Sequence, residues 1–381
     1  MLSVGAACND KPVTVRERPD GSGSSDGSGP ANDGGTLACG AAVLSVYDSP
    51  NFTTNAQVEL DLRANAFAID RTMALTEGAT TAITTTKELT DSFTAGVPSL
   101  QSVSTPETQD AIGNSTNGYL TAYGNAIGNL WSPDLAANGG AENGGKYDGT
   151  FYFSAVGLDL RSATSRTLLG GAFLQHAIDL ASGPMTEATL DRVVASFGAT
   201  PALANRTDDD AGADRDGLLA ELASQRDNKN SNTPGMYRQM RTALLTAKAA
   251  VIAGNACQAD LDAALTDFFA TWEKTTYASV IYYLNLAALA AMTDPMDGPD
   301  SLRALGNAIG LVQSYLGIPQ ARRLITDDRI QALLGKLGAD APFELVTDPT
   351  HRTSAIISAI QDIAILYGFS QADVESFKQS F

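Results

Sequence analysis

The stretch from Asp260 to Met292 constrains the fold of this chain more than any other. Leu261, Leu265, Phe268, Phe269, Trp272, Val280, Ile281, Leu284 and Leu286 dominate it at helical spacing, and its second half is apolar nearly all round. A helix apolar on every side has to be surrounded by other elements, so it belongs in the middle of a bundle. Its most apolar run, Ala278 to Met292, is 15 residues long and holds Asn285, short of the roughly 20 residues that a membrane span requires.

The rest of the chain after Tyr47 has the same period and hardly ever the alternation of a strand. Asn55 can cap a helix to about Glu77, with Val58, Leu62, Phe67, Ile69 and Met73 near one broad face. Ser104-Thr105-Pro106-Glu107 is a start signal for a helix carrying Ile112, Tyr119, Leu120, Tyr123 and Ile127, although Gly113, Gly118 and Gly124 weaken it. Trp131 to Asp148 has the composition of a loop. Helices are predicted from Ser162 to Ala181, from Thr186 to near Gly198, from Asp216 to Arg226, and from Thr233-Pro234 to Gly254. After the central one come Ser301 to Tyr315, Asp327 to Leu337, Thr350 to Tyr367, and a last one starting at Ser370. About ten helices with short connections predict an all-α fold of irregular packed bundles over residues 39–381, as one domain or two packed bundles. The string GNAIG occurs at Gly124–Gly128 and again at Gly306–Gly310, by duplication or by chance in an Ala/Gly-rich chain.

The first 38 residues are of another kind. Met1-Leu2-Ser3-Val4-Gly5-Ala6-Ala7-Cys8 resembles the end of a bacterial lipoprotein signal, in which the Cys is acylated. From Asp20 to Gly35 nearly every residue is Gly, Ser, Asp, Asn or Pro, which predicts a solvated, disordered tether. Together they predict a domain lipid-anchored in the cell envelope through Cys8, with the membrane as partner. Two cysteines then remain in an oxidising compartment, Cys39 and Cys257, either bridged or as two free thiols; parity points to the bridge.

The net charge of −18 repels phosphate, and the basic residues are scattered, so a nucleic-acid partner is not expected. Two His residues leave little for a histidine-rich metal centre. His176 and Asp179 stand three apart in a helical stretch and could share a metal, or His176 could simply bond a neighbour. Asp208 to Gly217 is rich in carboxylates, but in calcium-loop register its twelfth position is Ala223, so Asp214 and Asp216 read as solvated loop residues. P-loop, dinucleotide and HExxH patterns do not occur, and the Gly-rich stretches, in the tether and at 138–149, follow no strand as a nucleophile elbow would require. The aromatics Phe268, Phe269, Trp272, Tyr277, Tyr282 and Tyr283 are expected mainly in the core, with part of the set available to line a cleft.

Several stretches together resemble a family of uncharacterised bacterial lipoproteins, itself similar to the imelysin-type proteins. They are Tyr47-Asp48-Ser49-Pro50-Asn51-Phe52, Ala220 to Asp227, Met240 to Ile252, Tyr282-Tyr283-Leu284-Asn285 and the Ser301–Tyr315 helix. The resemblance implies an all-helical envelope protein connected with iron or haem uptake and an envelope iron-uptake partner. It also implies a GxHxxE motif, where this chain offers Leu174, His176 and Asp179. After the Tyr-Leu-Asn string the family has a His followed by Ser-Glu; here the stretch reads Arg303-Ala304-Leu305-Gly306-Asn307, so that site is replaced. A carboxylate-rich set with one His would favour iron over a tight structural zinc. Three functions follow as expectations: an envelope binding protein for metal, iron or haem; a structural or interaction lipoprotein of the outer membrane; and an imelysin-like metallopeptidase.

Overall fold

The computed structural model describes residues 39, 44–79, 83–205, 215–228, 231–293 and 296–381. Cys8, the tether and the acidic residues Asp208 to Asp214 lie outside the described residues. The chain divides between Thr36 and Leu37, and the second part, Leu37–Phe381, carries one continuous apolar core. Its described residues are all-α apart from a small antiparallel hairpin, Gly145–Tyr147 paired with Phe151–Phe153.

The predicted central helix is a single element, Gln258–Ala291, of 34 residues. It packs most extensively against Met236–Ala253 on one side and Gly298–Gln313 on the other, and also against Pro349–Tyr367. Phe268, Trp272 and Tyr277 are fully buried. Phe268 meets Trp272 edge-on at 5.6 Å, and Phe197 from the Glu187–Phe197 helix stands 5.6 Å from both rings. Each large apolar side chain buried here contributes about 1.5–3 kcal/mol, so this aromatic knot anchors the two helices to each other.

The expected helix from Asn55 is Gln57–Gly78, preceded by a separate turn, Phe52–Asn55. Leu62, Ile69 and Met73 are buried as expected, but Phe67 is 43% exposed, with the Arg63 guanidinium over its ring. The helix expected after Thr105 is two, Pro106–Gly113 and Tyr119–Ala126. Asn114 breaks it: its side-chain oxygen accepts from the backbone N–H groups of Thr116 and Asn117, a local alternative to the helical ladder. A Cβ on Gly118 would meet Asn114 backbone at 2.6 Å, so glycine closes this turn. The predicted loop at 131–148 holds a short helix, Pro133–Ala137, and the first hairpin strand. One helix that the apolar period does not announce, Thr86–Thr94, is fixed by a capping box between Thr85 and Glu88.

The stretch expected as a helix to Ala181 begins at Leu160 and has three parts: Leu160–Leu168, a π-helical segment Leu169–Leu174, and Gln175–Ala181. The helix expected from Thr350 starts at Pro349, with Asp348 as its cap. The two GNAIG strings are not equivalent, since Gly124–Gly128 ends a helix and Gly306–Gly310 lies inside one.

Candidate functional site

His176 sits two residues past the π-helical segment and is buried. Its Nε2 lies 2.8 Å from Oε1 of Glu59, on the Gln57–Gly78 helix. Asp179 is on the outer face and accepts from Gln175 instead, so the expected pairing of His176 with Asp179 gives way to a contact across the fold. The reason is burial: a carboxylate at 0% exposure needs partners, and Glu59 takes both His176 and Arg192, whose Nε is 2.9 Å from the same oxygen. Oε2 of Glu59 is buried with no hydrogen-bond partner.

This donor set does not fit an iron centre. His176 and Glu59 supply one nitrogen and one carboxylate, and the Arg192 guanidinium already holds that carboxylate. Among the described residues one group of three metal-donor side chains gathers, Cys39, Cys257 and Asp260, and its two sulfurs are bonded to each other. That disulfide is the bridge that parity pointed to. It closes 218 residues and ties Cys39 to the turn between the Met236–Ala253 and Gln258–Ala291 helices.

Beside Glu59, Asp191 forms a second buried knot. It accepts from Tyr47 Oη at 2.8 Å, Ser49 Oγ at 2.6 Å and Asn55 Nδ2 at 2.7 Å, while Lys248 Nζ stands 4.0 Å away. The string from Tyr47 thus fastens the start of the domain to the Glu187–Phe197 helix.

The densest charge cluster lies where the Gln57–Gly78, Leu160–Leu168 and Gly298–Gln313 helices meet. Arg161 holds Asp70 through two hydrogen bonds of 2.9 Å and Glu77 through one of 3.0 Å. Burial pushes the Asp70 carboxyl up, but the Arg161 fork and the Ser165 hydroxyl outweigh it and hold it below the usual range. Glu77 goes the other way. Burial and the charge of Asp159 push it up to about 7, and Arg161 and Arg303 offset only part of that rise. Asp159 caps the Leu160–Leu168 helix through the Ser162 N–H at 2.7 Å, and burial raises it too, against the pull of Arg303. Glu77 Oε1 and Asp159 Oδ2 are both buried without a hydrogen-bond partner. Two carboxyls that disfavour joint ionisation, each with an unsatisfied oxygen, can take up a proton near neutral pH.

Beside this cluster the Leu160–Leu168 and Gly298–Gln313 helices are joined by further polar contacts. Asn307 accepts from Arg166 Nε at 2.7 Å and donates to Ser162, and Arg166 also donates to the Tyr283 hydroxyl at 2.7 Å. On the other side Arg226 lies 4.2 Å over the Tyr282 ring and donates to the Phe377 carbonyl, with Nε and Nη2 unpartnered. Burial lowers the Arg226 guanidinium to about 10, against a smaller opposing effect of the tyrosine charges.

Asp216, expected to be solvated, is 1% exposed. It accepts from the Thr200 N–H and from the Tyr237 hydroxyl, both at 2.7 Å, and so ties Thr200 and itself to the Met236–Ala253 helix. Spacing alone misses Glu59, Asp70, Glu77 and Asp159. The available signal is that Asp70 and Glu77 stand seven apart on one helix, hence on one face. No family model, no curated protein and no solved structure matches this chain.

Proposed function

We propose that this chain is a cell-envelope lipoprotein, anchored through acylated Cys8, whose helical domain is a binding protein. The observation that carries the reading is the Cys39–Cys257 disulfide: such bonds persist in oxidising compartments, and this one begins directly after the Gly/Ser/Asp-rich segment. A domain stitched at the point where a tether would join it is suited to being held at a membrane. The assignment to iron or haem acquisition, with an envelope iron-uptake protein as partner, rests on the resemblance. Because the His176 set does not fit an iron centre, the ligand under this reading is a complex such as haem rather than a bare ion. The second reading, a structural or interaction lipoprotein, is favoured by the way His176, Glu59 and Arg192 bond one another.

Expression of the full gene with a fatty-acid probe should label the wild type in the membrane fraction and leave Cys8→Ala unlabelled. A soluble, unlabelled wild type overturns the anchor. Titration of the purified protein with haem should give a saturable absorbance shift; its absence transfers the function to the second reading.

A further inference from the structure

We propose that a groove of about 310 Å³ beside the middle of the central helix binds a small organic anion, a carboxylate carried on a compact apolar body. The volume is at the lower end for small-molecule sites and suits about one ring with its acid group. The site is separate from the charge cluster above and does not depend on the compartment of the protein or on what it does there.

Phe269 and Tyr367 line the groove, 5% and 6% exposed. Tyr367 is braced by Tyr277 at 4.8 Å and Phe369 at 5.7 Å, both stacked, so this wall is rigid, and the exposed Leu324 with Ala270 and Ala321 completes an apolar lining. Around it stand three cations, Lys274, Arg322 and Arg323. In a chain of net charge −18 most neighbouring acids would be expected to claim them. Yet among the described residues neither Lys274 nor Arg322 has an ion-pair partner. Arg323 is buried: Nε donates to the Ile318 carbonyl, Nη2 pairs with Asp327 at 2.7 Å, and Nη1 is buried with no partner.

Glu273 is the acid among the lining residues, and its oxygens are already taken. Oε1 accepts from the Ile325 N–H at 2.8 Å and the Tyr367 hydroxyl at 2.7 Å, and Oε2 from the Leu324 N–H at 2.7 Å. It shapes the groove and leaves the positive charge in excess. The same bonds decide the ligand class. The backbone N–H groups that could cradle a phosphate are held by Glu273, so recognition falls to side-chain cations, whose geometry suits a carboxylate. The apolar lining and the small volume then select a compact apolar body over a bare ion.

Equilibrium dialysis against benzoate, with benzamide as its neutral counterpart, tests this. Wild type should bind benzoate saturably, more weakly as salt is raised, and should not bind benzamide. Lys274→Glu with Arg322→Glu should weaken benzoate binding at least about tenfold. Lys87→Glu with Lys378→Glu changes the net charge equally on other elements and should bind as wild type does. If the first pair does not keep the helical circular dichroism spectrum, Lys274→Gln with Arg322→Gln replaces it, with the same expected loss. The proposal is overturned by absence of benzoate binding to wild type, by retained binding in the groove variant, by an equal loss in the control pair, or by equal binding of benzamide.

Discussion

Arg161 is the residue that holds Asp70 and Glu77 together. It bonds two carboxylates from another helix, and Glu77 has only 6% side-chain exposure. Removing one partner of a buried pair strands the others, so Arg161→Ala should lower stability by about 3 kcal/mol in urea unfolding, and Arg161→Lys should recover only part because it lacks the fork. A loss below about 1 kcal/mol would mean that the pair is solvated in practice. Glu77 gives a pH signature. Its folded pKa lies above the ordinary value of 4.5, so between there and about 7 the folded state binds more protons than the unfolded one. Its contribution is fully present below pH 4.5 and is lost as pH rises through about 7. Glu77→Gln should therefore flatten the decline of the urea midpoint between pH 5 and 8 relative to wild type; parallel profiles would refute the assignment. None of this is legible in the sequence, because Asp70 and Arg161 are 91 positions apart. Periodicity reports the face a residue occupies and is silent on what stands opposite.

At the scale of elements, local signals were read well where they act alone. Gly198 takes the left-handed conformation at the end of its helix, and Gly183-Pro184 follows the last turn of the Gln175–Ala181 helix. Reading failed where a short-range competitor overrides the period, as at Asn114, or where an element is too short to show one, as in the hairpin. The π-helical segment also escaped detection, although its Gly170-Gly171 pair is visible. A Cβ on Gly171 would fall 1.8 Å from Thr108 Oγ1, and one on Gly170 would fall 2.4 Å from Ser314 Oγ. The widened turn thus lets two neighbouring segments approach its backbone, and the Thr105 N–H bonds the Gly171 carbonyl at 2.8 Å. Gly171→Ala should cost about 1–3 kcal/mol by overpacking, read as a lower thermal midpoint. An unchanged midpoint would show that Thr108 turns aside freely.

For the whole molecule, fold class was legible because it rests on the sum of many periodic segments, above all on the central helix. The cysteine pairing was legible by parity. The charge cluster around Arg161 was not, since neither His176 nor Asp179 belongs to it. The disulfide closes a loop of 218 residues, and a chain-entropy treatment gives about 5 kcal/mol for such a loop before strain. Reduction should lower the urea midpoint accordingly, and equal midpoints with and without reductant would show that the first residues add nothing to the fold.

That bond also decides how the domain responds to mechanical load. Cys257 immediately precedes the Gln258–Ala291 helix, so traction applied at residue 39 passes through sulfur into the axis of the molecule. With the bond intact, a pull shears the longest packed helix against its neighbours on both flanks. With the bond cut, the same pull bears first on the segment from Leu44, held by the bonds of Tyr47, Ser49 and Asn55 to Asp191. The oxidised domain is therefore riveted at the end from which it would be hung.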